Sequence, residues 1–81
     1  MKIILKKQPE KYLKRVDSNT RKKIEKAIDG LIDLKGNIKK LKGEDAYRLK
    51  IFHYRIIFVY NSDNEEIVIE KIGTRGDVYN G

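Results

Sequence analysis

An α+β fold is predicted for these 81 residues, and three observations carry the prediction. Two stretches near the start repeat apolar residues at helical spacing. The second half alternates apolar and charged residues at strand spacing. Sharp polar or glycine-containing breaks separate the two kinds of segment. Read in order they give βααβββ: a helical hairpin packed on a small, mostly antiparallel sheet.

Lys2 to Lys6 contains Ile3, Ile4 and Leu5, a first strand. Met1 to Leu5 is too short for a signal peptide. Pro9 suits the first turn of a helix, where a missing N–H does no harm. Tyr12, Leu13 and Val16 then form a short apolar face with lysines outward. Asp17-Ser18-Asn19 breaks that helix and offers a cap for the next. The second helix is predicted from about Thr20 to Lys35, with Ile24, Ala27, Ile28, Leu31 and Ile32 as its stripe. Its cations Arg21, Lys22, Lys23 and Lys26 come early and Asp29 and Asp33 late, against the preference of the helix dipole. Such a basic helix start is either a solvated face or a contact for phosphate or an acidic partner. Gly36-Asn37 is expected to end the helix.

Ile38 to Asp45 is expected to be a connecting loop. Tyr47 to Phe52 and Tyr54 to Tyr60 are expected to form a hairpin, with Phe52-His53 as its turn. Alternation puts Tyr47, Leu49 and Ile51 on one face of the first strand and Arg48, Lys50 and Phe52 on the other. In that register Lys50 sits opposite Arg55, so Arg48, Lys50 and Arg55 share a patch. Like charges directly opposite are destabilising. Folding gives no reason for the arrangement, whereas a polyanionic ligand does. Asn61 to Asn64 is a turn cluster. Glu66 to Ile72 is a further strand, with Ile67, Val68 and Ile69 apolar on both parities, and Gly73 is expected to break it.

Length and composition bound the function. Residues 1–81 are expected to make a single domain with a small core. Lys plus Arg number 19 against 12 Asp plus Glu, a net charge of +7. That balance favours nucleic acid or an acidic protein partner, or else a merely solvated basic surface. The absence of cysteine excludes disulfides and thiolate metal sites and suits a reducing, cytoplasmic setting. No apolar run approaches the roughly 20 residues of a membrane span. No Asp/Glu cluster has metal-ligand spacing, the glycines form no phosphate loop, and no cofactor is implied. His53, the single histidine, reads as a turn residue.

What remains is Arg48, Lys50, Arg55, Arg75 and Tyr79. They are either sheet-surface cations with an aromatic anchor or a phosphodiester site. Arginine clamps phosphate through a planar fork. Crowding by cations disfavours the charged form of a lysine, as a general base requires. Tyrosine can stack on a base.

The fragments Lys40-Leu41-Lys42-Gly43, Tyr47-Arg48-Leu49-Lys50, Tyr54-Arg55-Ile56-Ile57-Phe58 and Ile72-Gly73-Thr74-Arg75-Gly76-Asp77-Val78-Tyr79, in this order and spacing, resemble the RelE/ParE superfamily of bacterial toxin–antitoxin toxins. The resemblance spans essentially the whole chain and implies a RelE-like microbial RNase fold. RelE-like members are ribosome-dependent endoribonucleases that cut mRNA in the decoding site. ParE-like members poison DNA gyrase and lack the full set of nuclease residues. By resemblance this chain falls in the RelE branch, with Arg48, Lys50, Arg55, Arg75 and Tyr79 as the catalytic set. Arg48 stands where the best-known pattern has Lys, Thr74 where many relatives have His, and Glu70 where they have an apolar residue. The implied chemistry is metal-independent attack by the ribose 2′-OH. The implied partners are mRNA on the ribosome, ribosomal RNA and a cognate antitoxin. Lys39, Lys40, Lys42, Arg21 and Lys22 are the residues expected to bind ribosomal RNA. The competing classes are a gyrase poison, a non-catalytic nucleic-acid-binding module, and a structural partner-binding protein.

Overall fold

A computed structural model describes residues 2–41 and 46–74. The elements are β1 (Lys2–Leu5), α1 (Lys7–Arg15), α2 (Ser18–Asp29), a 3-10 turn (Gly30–Asp33), β2 (Asn37–Lys40), β3 (Ala46–Ile51), β4 (Tyr54–Asn61) and β5 (Glu66–Thr74). The strands form one five-stranded sheet in the order β1-β5-β4-β3-β2. β1 runs parallel to β5, and the other pairings are antiparallel. The predicted α+β class and the mostly antiparallel sheet under two helices are therefore found.

Both helices pack on one face of this sheet. Leu13, Ile24, Ile28 and Leu31 meet Leu49, Ile56, Phe58, Ile67, Ile69 and Ile72 in the core. Ile24, Leu31, Ile56, Ile67, Ile69 and Ile72 have no exposed surface at all. Tyr47 stacks on Phe58 with ring centroids 5.5 Å apart. Tyr12 meets Tyr54 edge-on at 6.5 Å, tying α1 to the hairpin. Asp17 caps α2 as predicted, its carboxylate accepting from the Thr20 amide at 3.2 Å and from the Thr20 hydroxyl.

Four expectations are corrected. First, α2 stops at Asp29 and continues only as a 3-10 turn. Leu34, at φ 54°, ends that turn in the left-handed region, its amide donating to the Leu31 carbonyl at 2.9 Å. Gly36, at φ 114°, then turns the chain toward the sheet. A Cβ there would lie 2.7 Å from Leu49 Cδ1, so both the backbone and the packing require glycine. Second, the segment expected to be a loop holds an edge strand, because Asn37 to Lys40 pair with Lys50 to Tyr47. Its alternation is masked by lysine at two of four positions. Third, Gly73 does not break β5; it pairs with Arg55 and the strand runs on to Thr74. Fourth, Phe52 leaves the parity of β3. Its backbone is left-handed at φ 53°, and its ring lies beside Lys23 of α2.

One irregularity shapes the second half of the sheet. Ile57 pairs with Lys71 and Phe58 with Ile69, leaving Glu70 as an extra residue in β5. The bulge keeps Ile69 and Ile72 both in the core although they are three positions apart, an odd spacing that a regular strand would send to opposite faces. Glu70 binds Lys6 at 2.9 Å, beside the end of β1. Past that point Gln8 of α1 takes over as partner of β5. Its side-chain amide donates to the Ile72 carbonyl at 2.8 Å and accepts from the Ile72 amide at 2.9 Å.

Candidate phosphate site on the open face of the sheet

Leu49 and Ile56 pair with their side chains in the core, so the next pair outward, Lys50 and Arg55, belongs to the opposite face. The two-residue Phe52-His53 turn fixes that register, as the alternation predicted. Arg48 is on the same face, flanked by Lys39 of β2 and Ile57 of β4. Ile57 is followed by Lys71 of β5, and Arg55 by Gly73. The sheet thus brings Lys39, Arg48, Lys50, Arg55 and Lys71 to one side. Lys71 is a residue that reading the sequence missed. Unbroken alternation from Ile69 would place Glu70 opposite Ile57 and Ile72 opposite Arg55. The bulge at Glu70 substitutes a cation for an anion and a glycine for an isoleucine.

Arg55 is the unusual member. It is only 8% exposed, and every other buried side chain among the described residues is apolar. Its Nη1 donates to the Tyr54 carbonyl at 3.2 Å and to the Phe52 carbonyl at 3.5 Å. Its Nε is buried without a hydrogen-bond partner. No ion pair joins it to a carboxylate among the described residues. A buried cation without a counter-ion is costly to keep, and the fork it presents fits a tetrahedral oxyanion. Gly73, beside it, adds no side chain where a ligand would approach.

The other predicted residues fall in different places. Lys50 and Lys39 are exposed and Arg48 is half-buried on this face. Lys40 is exposed on β2 but pairs with Tyr47, the neighbouring parity. Lys22 is exposed on α2. Arg21 is committed elsewhere: its guanidinium donates to the carbonyls of Leu13 at 2.7 Å and Val16 at 3.3 Å, closing the C-terminal end of α1. The early cation of α2 thus serves its neighbour's last turn. His53 is an exposed turn residue whose ring lies 4.1 Å from that of Tyr54. Lys42, Arg75 and Tyr79 lie outside the described residues. Among the described residues no cluster of His, Asp or Glu could hold a metal ion, and no helix is long and apolar enough to cross a membrane.

With this geometry in hand, the comparisons with known proteins are specific. Residues 3–79 match the family model of the ParE toxin of the type II toxin–antitoxin system parDE. The chain belongs to the RelE/ParE superfamily. It is a toxin of the RelBE/ParDE type. A chain of the RelB–RelE antitoxin–toxin complex from Methanococcus jannaschii is 30% identical, with a TM-score of 0.75 and 95% of each chain covered. A chain of the RelE–RelB complex from Pyrococcus horikoshii is similar at 23% identity, TM-score 0.77, covering 93% of this chain and 94% of that one. The isolated RelE toxin of E. coli is similar at 20% identity and TM-score 0.76, over 96% of this chain and 89% of that one. The last two likenesses, at low identity, concern the fold. No curated protein matches at a significant level.

Proposed function

We propose that this toxin is an mRNA endoribonuclease that acts on the translating ribosome. The observation that carries the reading is the buried Arg55, which has no carboxylate partner among the described residues and lies directly opposite Lys50 on a cationic sheet face. In the proposed reaction the ribose 2′-oxygen attacks the adjacent phosphorus. A new P–O bond forms, the bond to the 5′-oxygen breaks, and a 2′,3′-cyclic phosphate and a 5′-OH result. Lys50 takes the proton of the 2′-OH. Arg55 and Arg48 stabilise the charge that builds on the phosphate oxygens, the usual large contribution at such sites. Arg75 contacts the phosphate or helps protonate the leaving oxygen, and Tyr79 stacks on the base. Lys39 adds to the cationic sheet face, and Lys40, Lys42 and Lys22 are further proposed contacts for ribosomal RNA, so binding weakens steeply with salt. The similarity to RelB–RelE complexes supports an antitoxin partner of the RelB kind.

A second reading is a gyrase poison, favoured by the ParE family model that the chain matches. Induction in growing cells, with mRNA 5′ ends mapped and DNA supercoiling followed in parallel, separates the two. Cuts within translated codons that vanish in Arg55→Met and Arg75→Ala support the nuclease. Intact mRNA with inhibited supercoiling overturns it.

A further inference from the structure

Phe52 has three properties that the catalytic reading does not use. Its backbone is left-handed, at φ 53°, in a turn where glycine or asparagine is the ordinary occupant. Its ring is 66% exposed, more than any other large apolar side chain among the described residues. Lys23 Nζ stands 5.2 Å from the ring centroid, and the Phe52 backbone carbonyl accepts from Arg55 Nη1. Strain and exposure of an aromatic ring cost stability, and such costs cluster where a ligand is met.

The surroundings define that ligand. Phe52 stands between two depressions. One, of about 510 Å³, has Lys23, Lys26, Lys35 and Lys50 around Leu49 and Ile51. The other, of about 250 Å³, is closed by Thr20, His53 and Tyr54. Among the described residues no Asp or Glu lines either one. The ring therefore borders one depression in which Lys23 and Lys26 of α2 meet Lys50 of β3, and Arg55 is paired with Lys50 across the hairpin. An exposed ring beside a cluster of cations matches a nucleotide, whose base stacks while the adjoining phosphate is neutralised. An acidic amphipathic peptide is the competing occupant that the test below separates.

The geometry points to Phe52 as a stacking platform for an unpaired base of single-stranded RNA, next to the phosphate that Arg55 and Lys50 hold. This inference rests on the RNA reading but not on cleavage. Its test is binding of a fully 2′-O-methylated, hence uncleavable, single-stranded RNA hexamer to the whole chain over a range of salt concentrations. Phe52→Ala and Phe52→Gly are expected to weaken binding about tenfold or more at every salt concentration, without altering the salt slope. Phe52→Trp is expected to retain the affinity. Lys23→Ala is expected to lower the salt slope by about one. Phe52→Gly suits the left-handed turn better than phenylalanine, so its thermal midpoint should not fall, and lost binding cannot be ascribed to unfolding. Unchanged affinity in Phe52→Gly overturns the inference. So does a Phe52-dependent affinity for an acidic amphipathic peptide with none for the RNA. Phe52-dependent RNA binding without any cutting of mRNA in cells would leave the platform standing and remove the nuclease. Cutting with Phe52-independent RNA binding would do the reverse.

Discussion

The two faces of the sheet are made from the same strands and obey opposite rules. On the helix-covered face, Leu49, Ile56, Phe58, Ile67, Ile69 and Ile72 close against α1 and α2, with almost no surface left in water. On the open face, the intervening positions supply Arg48, Lys50, Arg55 and Lys71. Neither set could be moved without the other, because a pleated strand assigns neighbours to opposite sides. The difference teaches where stability is made and where it is given up. The covered face removes apolar area from water. The open face concentrates like charge and buries one guanidinium with no carboxylate against it among the described residues, at a cost the covered face must offset.

The comparison can be broken or sharpened by substitution. Phe58→Ala opens a cavity beneath Tyr47 and should lose about 3–5 kcal/mol, measured by urea unfolding; a loss below about 1 kcal/mol would mean the covered face is not the stabilising one. On the open face, Arg55→Met should lower the rate of mRNA cutting by about a hundredfold or more while leaving the unfolding midpoint equal or higher. A large drop in midpoint would make Arg55 structural instead. Gln8→Ala lies at the seam, where α1 substitutes for a strand. It leaves the Ile72 amide and carbonyl without their partner and should destabilise by about 1–3 kcal/mol, with faster hydrogen exchange at Ile72. The smallest effect belongs to Asp17. Hydrogen bonds from the Thr20 hydroxyl and amide hold its carboxyl below the usual 3.8. A depressed folded-state value means the stabilisation is present above pH 3.8 and is lost as the pH falls through that lower value. The midpoint of Asp17→Ala should therefore fall slightly below wild type at pH 7, and the gap should close in strong acid.

The legible parts of the fold were those set by local chemistry. Asp17 as a cap, Phe52-His53 as a turn and the Lys50–Arg55 pairing each depend on a few adjacent residues and were correctly anticipated. The edge strand Asn37–Lys40 was not, because its lysines look like loop and only the pairing with β3 makes it a strand. The run of β5 through Gly73 was missed for a related reason: glycine is a weak strand former, and only its pairing with Arg55 keeps it in the strand. Lys71 was hidden by the bulge, since a single extra residue reverses every later parity. The hydrogen bonds of Arg21 to the Leu13 and Val16 carbonyls were not legible either, because they join two helices.

By itself, the sequence determined the α+β order, the two apolar helix faces, the central hairpin and the cations Arg48, Lys50 and Arg55 on one side of it. Those follow from period, cap and turn chemistry, which act over a few residues. Only the tertiary structure decided that Arg55 is buried with no counter-ion among the described residues and that Lys71 replaces Glu70 on the open face. It also decided that Phe52 turns toward Lys23. Burial, bulges and a left-handed turn arise from contacts between distant segments, and no local pattern encodes them.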